Sequence, residues 1–76
     1  MVELLEELAR RLVDEPDAVR VEEIEYSDVI VLRLHVASED VGKVIGRQGR
    51  IARALRTVVR ASAGRGNRRV QLDIAD

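Results

Sequence analysis

One pair of glycines constrains most strongly how this chain can fold. The pair is Gly46 and Gly49, and two polar residues lie between them. Apolar residues recur at helical spacing on both sides of the pair, and glycine lets the backbone turn tightly because no Cβ obstructs it. The pattern predicts a short helix to about Ile45, a tight turn, and a longer helix from about Gly49 to Ala63. The apolar stripe predicted for the longer helix is Ile51, Leu55, Val58 and Val59.

The spacing of apolar residues predicts four further elements. Residues 2–13 have the periodicity of an amphipathic helix, which Pro16 cannot continue. Residues 19–25 and 29–36 have strand character, and the short connection between them favours a hairpin. The last strand is indicated by the alternation of Val70, Leu72 and Ile74.

Three local features lead to narrower predictions. The apolar positions change phase between Val21 and Ile24, which predicts a bulge or an edge position in the first strand. Ser38 is a good N-cap for the short helix. We also predict a small apolar patch on the open face of the sheet, formed by Val19, Val21, Val29 and Val31. It would be either ordinary surface or a dimer interface.

The predicted order of elements is α-β-β-α-α-β, which sets the fold class. About thirty residues and two helices connect the second strand to the third, and such a crossover favours parallel pairing and a right-handed connection. We therefore expect an α+β fold: a three-stranded mixed sheet with three helices on one face. The even-numbered residues of the second and third strands would face the helices. We expect one domain, residues 1–76, since no second core fits in so short a chain.

The composition excludes several classes of protein. The chain has no cysteine, and its single histidine, His35, is a poor basis for a metal site. No stretch has the roughly 18–20 apolar residues that a membrane-spanning helix needs. The first residues are acidic, unlike a secretory or transit leader, so we expect a cytoplasmic protein without a membrane partner. No nucleophile, base and orienting residue are recognisable as a set, so we expect no enzyme and no cofactor.

The glycine turn, residues 46–49, also predicts a place where an anion binds. The first N–H groups of the following helix have no partner within the helix, and the helix dipole favours negative charge there. Arg47, Gln48 and Arg50 add donors around the turn, and Lys43 lies one helical turn earlier. Neither residue between the two glycines is acidic, so nothing in the turn repels a phosphate.

The run Val44-Ile45-Gly46-Arg47-Gln48-Gly49-Arg50-Ile51 resembles the I-G-x-x-G core of KH domains. The order of elements resembles the bacterial, type II form of that domain, and the resemblance covers the whole chain. The "VDEPD" turn and the "ASEDVGKVIGRQGR" run are similar to the small stand-alone bacterial KH proteins of the KhpA family. A lone G-x-x-G is weak, because many loops match it, but here it lies between two helices in the right element order.

The resemblance implies a non-catalytic protein that clamps about four nucleotides of single-stranded RNA, with the glycine turn on the sugar–phosphate backbone. Val44, Ile45 and Ile51 would form one apolar side of a groove for the bases, and residues of the second strand would form the other. Bases in such grooves rest on aliphatic side chains, so the near absence of aromatic residues is no obstacle. The RNA-binding residues expected are Lys43, Val44, Ile45, Gly46, Arg47, Gln48, Gly49, Arg50, Ile51 and Arg53.

Arginines on the polar side of the longer helix add to this expectation. Arg50 and Arg53 lie near the helix N-terminus, where a cation is unfavourable by a few tenths of a kcal/mol or more. A bound polyanion would compensate this conflict. Arg56 and Arg60 are equally compatible with contacts to phosphate and with a solvent-exposed face. The arginines of the last connection and strand, Arg65, Arg68 and Arg69, would either extend the basic surface or only increase solubility.

Partners and cellular role follow only from the resemblance. It suggests a homodimer, or a heterodimer with a larger KH-containing protein of the KhpB or Jag type. It also suggests an RNA chaperone or post-transcriptional regulator linked to cell-envelope growth. A function of another class stays open: a protein-interaction module on a KH scaffold with little affinity for RNA.

The net charge of −1 conceals two oppositely charged parts. Residues 1–28 contain ten acidic and three basic residues, a charge of −7, and residues 29–76 contain four acidic and ten basic residues, a charge of +6. The basic part contains the glycine turn. A near-neutral charge therefore does not exclude nucleic acid; we expect RNA on one side of the domain and a possible partner on the other.

Overall fold

The computed structural model describes residues 1–63 and 69–75. The helices are α1 (Val2–Leu12), α2 (Val41–Ile45) and α3 (Arg50–Ser62), and the strands are β1 (Arg20–Glu25), β2 (Val29–His35) and β3 (Arg69–Ala75). The predicted order α-β-β-α-α-β is confirmed. Short 3-10 turns precede β1, α2 and α3. The predicted loop at 64–67 lies outside the described residues.

The sheet has the order β1-β2-β3, with β2 in the centre. β1 pairs with β2 antiparallel, and β3 pairs with β2 parallel after the crossover through α2 and α3. The predicted three-stranded mixed sheet is therefore confirmed. β1 and β3 are its two edges. In the described part of the chain, no helix is long and apolar enough to cross a membrane.

All three helices cover the same face of the sheet. One cluster of buried aliphatic residues combines side chains from every helix with even-numbered positions of β2 and β3, as predicted. Since the chain has a single aromatic residue, aliphatic side chains fill this core. The buried members of the cluster are Leu5, Ala9, Val19, Leu32, Leu34, Val44, Leu55, Val59 and Leu72.

The change of phase in β1 comes from its edge position and involves no bulge. β1 and β2 pair in continuous register over the whole of β1. Val21 lies opposite Leu34 and packs against the core, whereas Ile24 lies opposite Val31 on the open face. The strand thus gives one apolar side chain to each face.

The predicted patch of four valines on the open face is wrong for two of them. Val19 precedes β1 and is buried in the core, and Val21 packs against that core. Only Val29 and Val31 alternate onto the open face, and Val31 is itself largely buried.

The predicted stripe of α3 is also wrong at one position. Val58 is 36% exposed, and the buried residues of α3 are Ala52, Leu55 and Val59. These three are spaced by three and four residues, so they lie on one side of the helix, and Val58 lies at the margin of that side.

The start of α2 is held by Asp40 and not by Ser38. The Ser38 hydroxyl donates to the Glu39 carboxylate at 3.0 Å, and no side-chain hydrogen bond caps the turn, so the N-cap prediction is wrong. Asp40 is 1% exposed, and its Oδ2 accepts a hydrogen bond from the Glu15 N–H at 3.0 Å. This bond joins the segment after α1 to the first residues of α2.

A lysine completes this link between the end of α1 and the start of α2. We call the link, formed by Asp14, Glu15, Asp40 and Lys43, the anchor. Lys43 Nζ donates to Asp40 Oδ1 at 3.4 Å and also to the Asp14 carboxylate. Burial acts to raise the pKa of Asp40, but hydrogen bonds from the backbone amides of Glu15 and Asp14 and from Lys43 outweigh it and lower that pKa. Asp40 therefore stays ionised in the folded chain under conditions where a free aspartate begins to take up a proton.

The lowered pKa predicts a pH dependence of stability. A carboxylate whose pKa is lower folded than unfolded adds stability above its unfolded pKa, roughly 4, and that stability is lost as the pH falls through the folded value. Asp40→Asn should therefore lower the melting temperature at pH 7 and flatten its fall below about pH 4. Circular dichroism melts between acidic and neutral pH measure both effects.

Glu39→Gln is the matched control, because Glu39 is the neighbouring carboxylate and is exposed. Its pH profile should follow that of the parent chain. Superimposable profiles for the parent and Asp40→Asn would contradict the assigned role of Asp40.

Candidate nucleic-acid interface

The glycine turn joins α2 to α3 through backbone conformations that ordinary residues seldom adopt. Gly46 has φ +75° and ψ 173°, Gln48 has φ +58° and ψ 24°, and Gly49 has φ +73° and ψ 17°. The Gly46 N–H donates to the Gly42 carbonyl at 2.9 Å, and the Gly49 N–H donates to the Gly46 carbonyl at 3.2 Å. The chain is thereby redirected within four residues, as the sequence predicted.

Ile51 explains why glycine is needed at position 46. A Cβ on Gly46 would lie 2.7 Å from Cγ1 of Ile51, which packs against the core and has little room to move. A Cβ on Gly49 would meet no atom within 4 Å. Close packing and backbone conformation together therefore require glycine at 46, whereas conformation alone favours it at 49.

The N-terminus of α3 keeps the features of an anion site. Its N-cap is Gly49, no side chain caps it, and its first turn contains no acidic residue. The first N–H groups of a helix lack partners within the helix and are favourable donors to a negative group. The Arg50 N–H donates to the Arg47 carbonyl, so an anion at the glycine turn would meet the N–H groups that follow it in the first turn of α3.

Basic and polar side chains surround the turn. Arg47, Gln48 and Arg50 are exposed. Arg53 Nη2 donates to the Gln48 carbonyl at 3.2 Å, so this guanidinium lies beside the turn and supports its backbone. A guanidinium has five N–H donors, and the remaining ones can contact a ligand.

A groove begins at the turn and runs between the α2–α3 pair and the edge strand β3. We name it the β3 groove. Its lining combines aliphatic side chains with three charged ones: Arg33, Ile45, Gly49, Ala52, Arg56, Asp73, Ile74 and Ala75. Ile45 is 37% exposed, an apolar side chain left uncovered beside the turn.

A second hollow lies at the other end of β3 and includes Arg60 and Arg69. It adjoins residues outside the described part of the chain and contains no residue of the glycine turn. The two arginines of α3 that the sequence left undecided are thus separated, with Arg56 in the β3 groove and Arg60 in the other hollow.

Two predicted site residues take other positions. Val44 is fully buried, so its side chain supports α2 from within and does not line the groove. Lys43 is paired with Asp14 and Asp40; the hydrogen bond with Asp14, outweighing desolvation, raises the pKa of Lys43, with smaller help from Asp40. The charge of Lys43 therefore serves the anchor between α1 and α2.

The far side of the groove also differs from the expectation. The second strand was expected to supply it, but β3 supplies Asp73, Ile74 and Ala75, and β2 supplies only Arg33. Ala52 is three residues from Gly49 and four from Arg56, so helical spacing alone could have placed it with them. The contribution of β3 depends on the order of strands in the sheet and has no local signal.

No group of three or more side chains suited to a metal ion occurs within residues 1–63 and 69–75. The arrangement offers backbone and guanidinium donors at one end and an aliphatic groove beside them.

The two glycines should differ in their tolerance of alanine. In Gly46→Ala the new Cβ collides with Ile51, and the backbone conformation itself costs about 1–3 kcal/mol for residues other than glycine. The free energy of unfolding of this variant should therefore fall by more than about 2 kcal/mol. Gly49→Ala has only the cost of the left-handed conformation, so its free energy of unfolding should fall by about 1 kcal/mol. Urea unfolding of the two variants measures the difference, and equal losses would contradict the role given to Ile51.

Comparison with known proteins identifies the family. The model of the family described as KhpA/KhpB, KH domain, matches residues 2–74. The RNA-binding protein KhpA of Clostridium acetobutylicum is 54% identical over 74 residues, which cover 97% of this chain and 99% of that protein. The proteins of the same name from Borreliella burgdorferi and Halalkalibacterium halodurans are each 51% identical, over 99% and 100% of this chain and 92% and 100% of theirs.

No solved structure matches the chain significantly. The family model nevertheless spans nearly the whole chain, and the relatives match it from end to end at about half of their positions. The α+β architecture and the glycine turn agree with that match. This chain belongs to the KhpA/KhpB family of KH domains.

Proposed function

We propose that this chain binds single-stranded RNA in the β3 groove, with the sugar–phosphate backbone at the glycine turn. The observation that carries the proposal is the N-terminus of α3, which has no side-chain cap and directly follows the glycine turn beside an aliphatic groove. A phosphate there would accept hydrogen bonds from the first N–H groups of α3. The names of the relatives, RNA-binding protein KhpA, support the same function.

The lining of the groove favours a single strand. In an A-form duplex the Watson–Crick edges are paired and the major groove is too deep and narrow for side chains, whereas a single strand exposes its bases. Ile45, Ala52 and Ile74 offer aliphatic surface on which a base can lie. Because β3 is an edge strand, its outer backbone groups have no strand partner among the described residues and can bond to base edges.

The distribution of charge favours one binding side. β1 carries three glutamates at one edge of the sheet, whereas α3, which contacts β3 at the other edge, carries four arginines. A polyanion is attracted to the side of α3 and repelled from that of β1. One domain that contacts about four nucleotides has little contact area, so we expect modest affinity.

The turn itself can be tested by reversing its charge. Arg47→Asp with Gln48→Asp should weaken binding of a labelled single-stranded RNA at least about tenfold in fluorescence anisotropy, because carboxylates replace donors at the phosphate site. The parent chain should show a log–log salt slope of about −2, as expected for three phosphate contacts on a single strand. The variant should show a shallower slope.

The matched control is Arg20→Asp with Ser27→Asp, which gives the same change of formal charge at two exposed positions of the opposite edge and its turn. The control should bind RNA nearly as well as the parent, and circular dichroism checks that both variants fold. Unchanged binding by the turn variant would rule out the turn as the phosphate site. A parent chain that binds no RNA at low salt would overturn the proposal and favour a protein-interaction module.

The cellular part of the proposal is a non-catalytic RNA chaperone or post-transcriptional regulator in the cytoplasm, linked to cell-envelope growth. Its support is the family resemblance. Crosslinking and sequencing of the RNA bound in cells tests it, and recovery of no RNA above background would contradict it.

We also propose that the chain forms a homodimer or pairs with a larger KH protein of the KhpB or Jag type. One support is the family description, which names KhpA and KhpB together. The other is the acidic side of the domain, which RNA bound on the basic side would not cover. For a homodimer, light scattering at high protein concentration should give twice the chain mass of 8.5 kDa. A monomeric mass would exclude self-association and leave only the larger partner.

A further inference from the structure

The β3 groove contains two opposite charges that its aliphatic lining does not explain. Arg33 of β2 and Asp73 of β3 are register partners in the parallel pair, and both line the groove. Alternation along the strands places the two side chains together on the open face of the sheet, opposite to the helices, so they border the groove from beneath the edge strand. Within the described residues, neither side chain forms an ion pair or a side-chain hydrogen bond, so the donors of Arg33 and the acceptors of Asp73 are available to a ligand. Arg33 also acts at longer range on its neighbour Glu22, whose pKa is lowered by the hydrogen bond with His35 and by the charge of Arg33.

A carboxylate in an RNA-binding groove limits what can face it. An ionised Asp73 only accepts hydrogen bonds, and a phosphodiester offers only negatively charged acceptors. The RNA backbone is therefore repelled from β3 toward the glycine turn and the arginines of α3. What remains to contact Asp73 is the donor edge of a base.

Guanine fits this pair of charges better than the other bases. Its N1–H and 2-amino group are two adjacent donors that match the two oxygens of a carboxylate, whereas uracil offers one N–H and adenine and cytosine one amino group. Its O6 and N7 are the acceptors that a guanidinium contacts with two hydrogen bonds. Guanine thus gives donors to Asp73 and acceptors to Arg33.

We propose that Asp73, together with Arg33, selects guanine in the β3 groove. The proposal rests on the proposed function, since it names the base preferred by the same RNA site. It makes Asp73 a specificity-determining residue and separates its role from that of the glycine turn, which contacts the backbone of any sequence.

The preference can be measured on the unmodified chain. Labelled heptamers of uridine with a single central guanosine, adenosine or cytidine are compared with the all-uridine strand by fluorescence anisotropy. The guanosine strand should bind about fivefold more tightly or better, as expected for one good bidentate contact. Inosine, which lacks the 2-amino group, should lose most of this gain, and 7-deazaguanosine, which lacks the N7 acceptor, tests Arg33 in the same way.

Variants assign the preference to its residue. Asp73→Asn should bring the guanosine and all-uridine strands to within about twofold of each other, while the all-uridine strand binds at least as tightly as before, because a negative charge is removed. Asp73 is exposed, so the substitution should not affect folding, and Asp73→Ala serves as a second variant. Asp17→Asn is the matched control: Asp17 is an exposed aspartate in the turn before β1, outside the groove, and its substitution should keep the preference.

The outcomes separate this inference from the proposed function. RNA binding with equal affinity for all strands would overturn the guanine preference and leave RNA binding intact. A preference that survives in both Asp73 variants would also overturn it. Absence of binding to every strand by the parent chain would overturn the proposed function itself.

Discussion

The contact between Ile51 and the backbone of Gly46 is the constraint on which the candidate site depends. Ile51 is held by the core and leaves no room for a Cβ on Gly46. The positive φ angles of Gly46, Gln48 and Gly49 redirect the chain, so that α3 begins after a second glycine without a capping side chain. The turn thereby ends in a helix N-terminus without a capping side chain, which is a favourable place for an anion.

The position of this turn relative to the rest of the domain is set by a buried carboxylate. α2 is only five residues long, and a helix so short has little packing surface of its own. Asp40 fixes its beginning by accepting the Glu15 N–H, and Val44 fixes its middle in the core. Ile45 is then left at the surface beside Gly46, where the β3 groove begins. The segment after α1 is therefore joined through α2 to the candidate site.

The strand order separates the charges of the chain. β2 lies in the centre, so the glutamates of β1 and the arginines of α3 lie at opposite edges of the sheet. A chain with almost no net charge thus presents one side that attracts a polyanion and one that does not. On the attractive side, Asp73 is an acidic exception, and we propose that it contributes to the choice of a base and not to binding of the backbone.

The sequence by itself determined the helices, the strands, their order and the glycine turn, because periodicity and glycine conformation act between residues close in the chain. It also predicted the mixed sheet, since a long connection with two helices favours parallel strands. Only the tertiary structure decided that Val44 is buried and Ile45 exposed, that Lys43 pairs with Asp14, and that β3 forms the far side of the groove. These features depend on contacts between residues distant in the chain, and a five-residue helix is too short for its periodicity to reveal which side it buries.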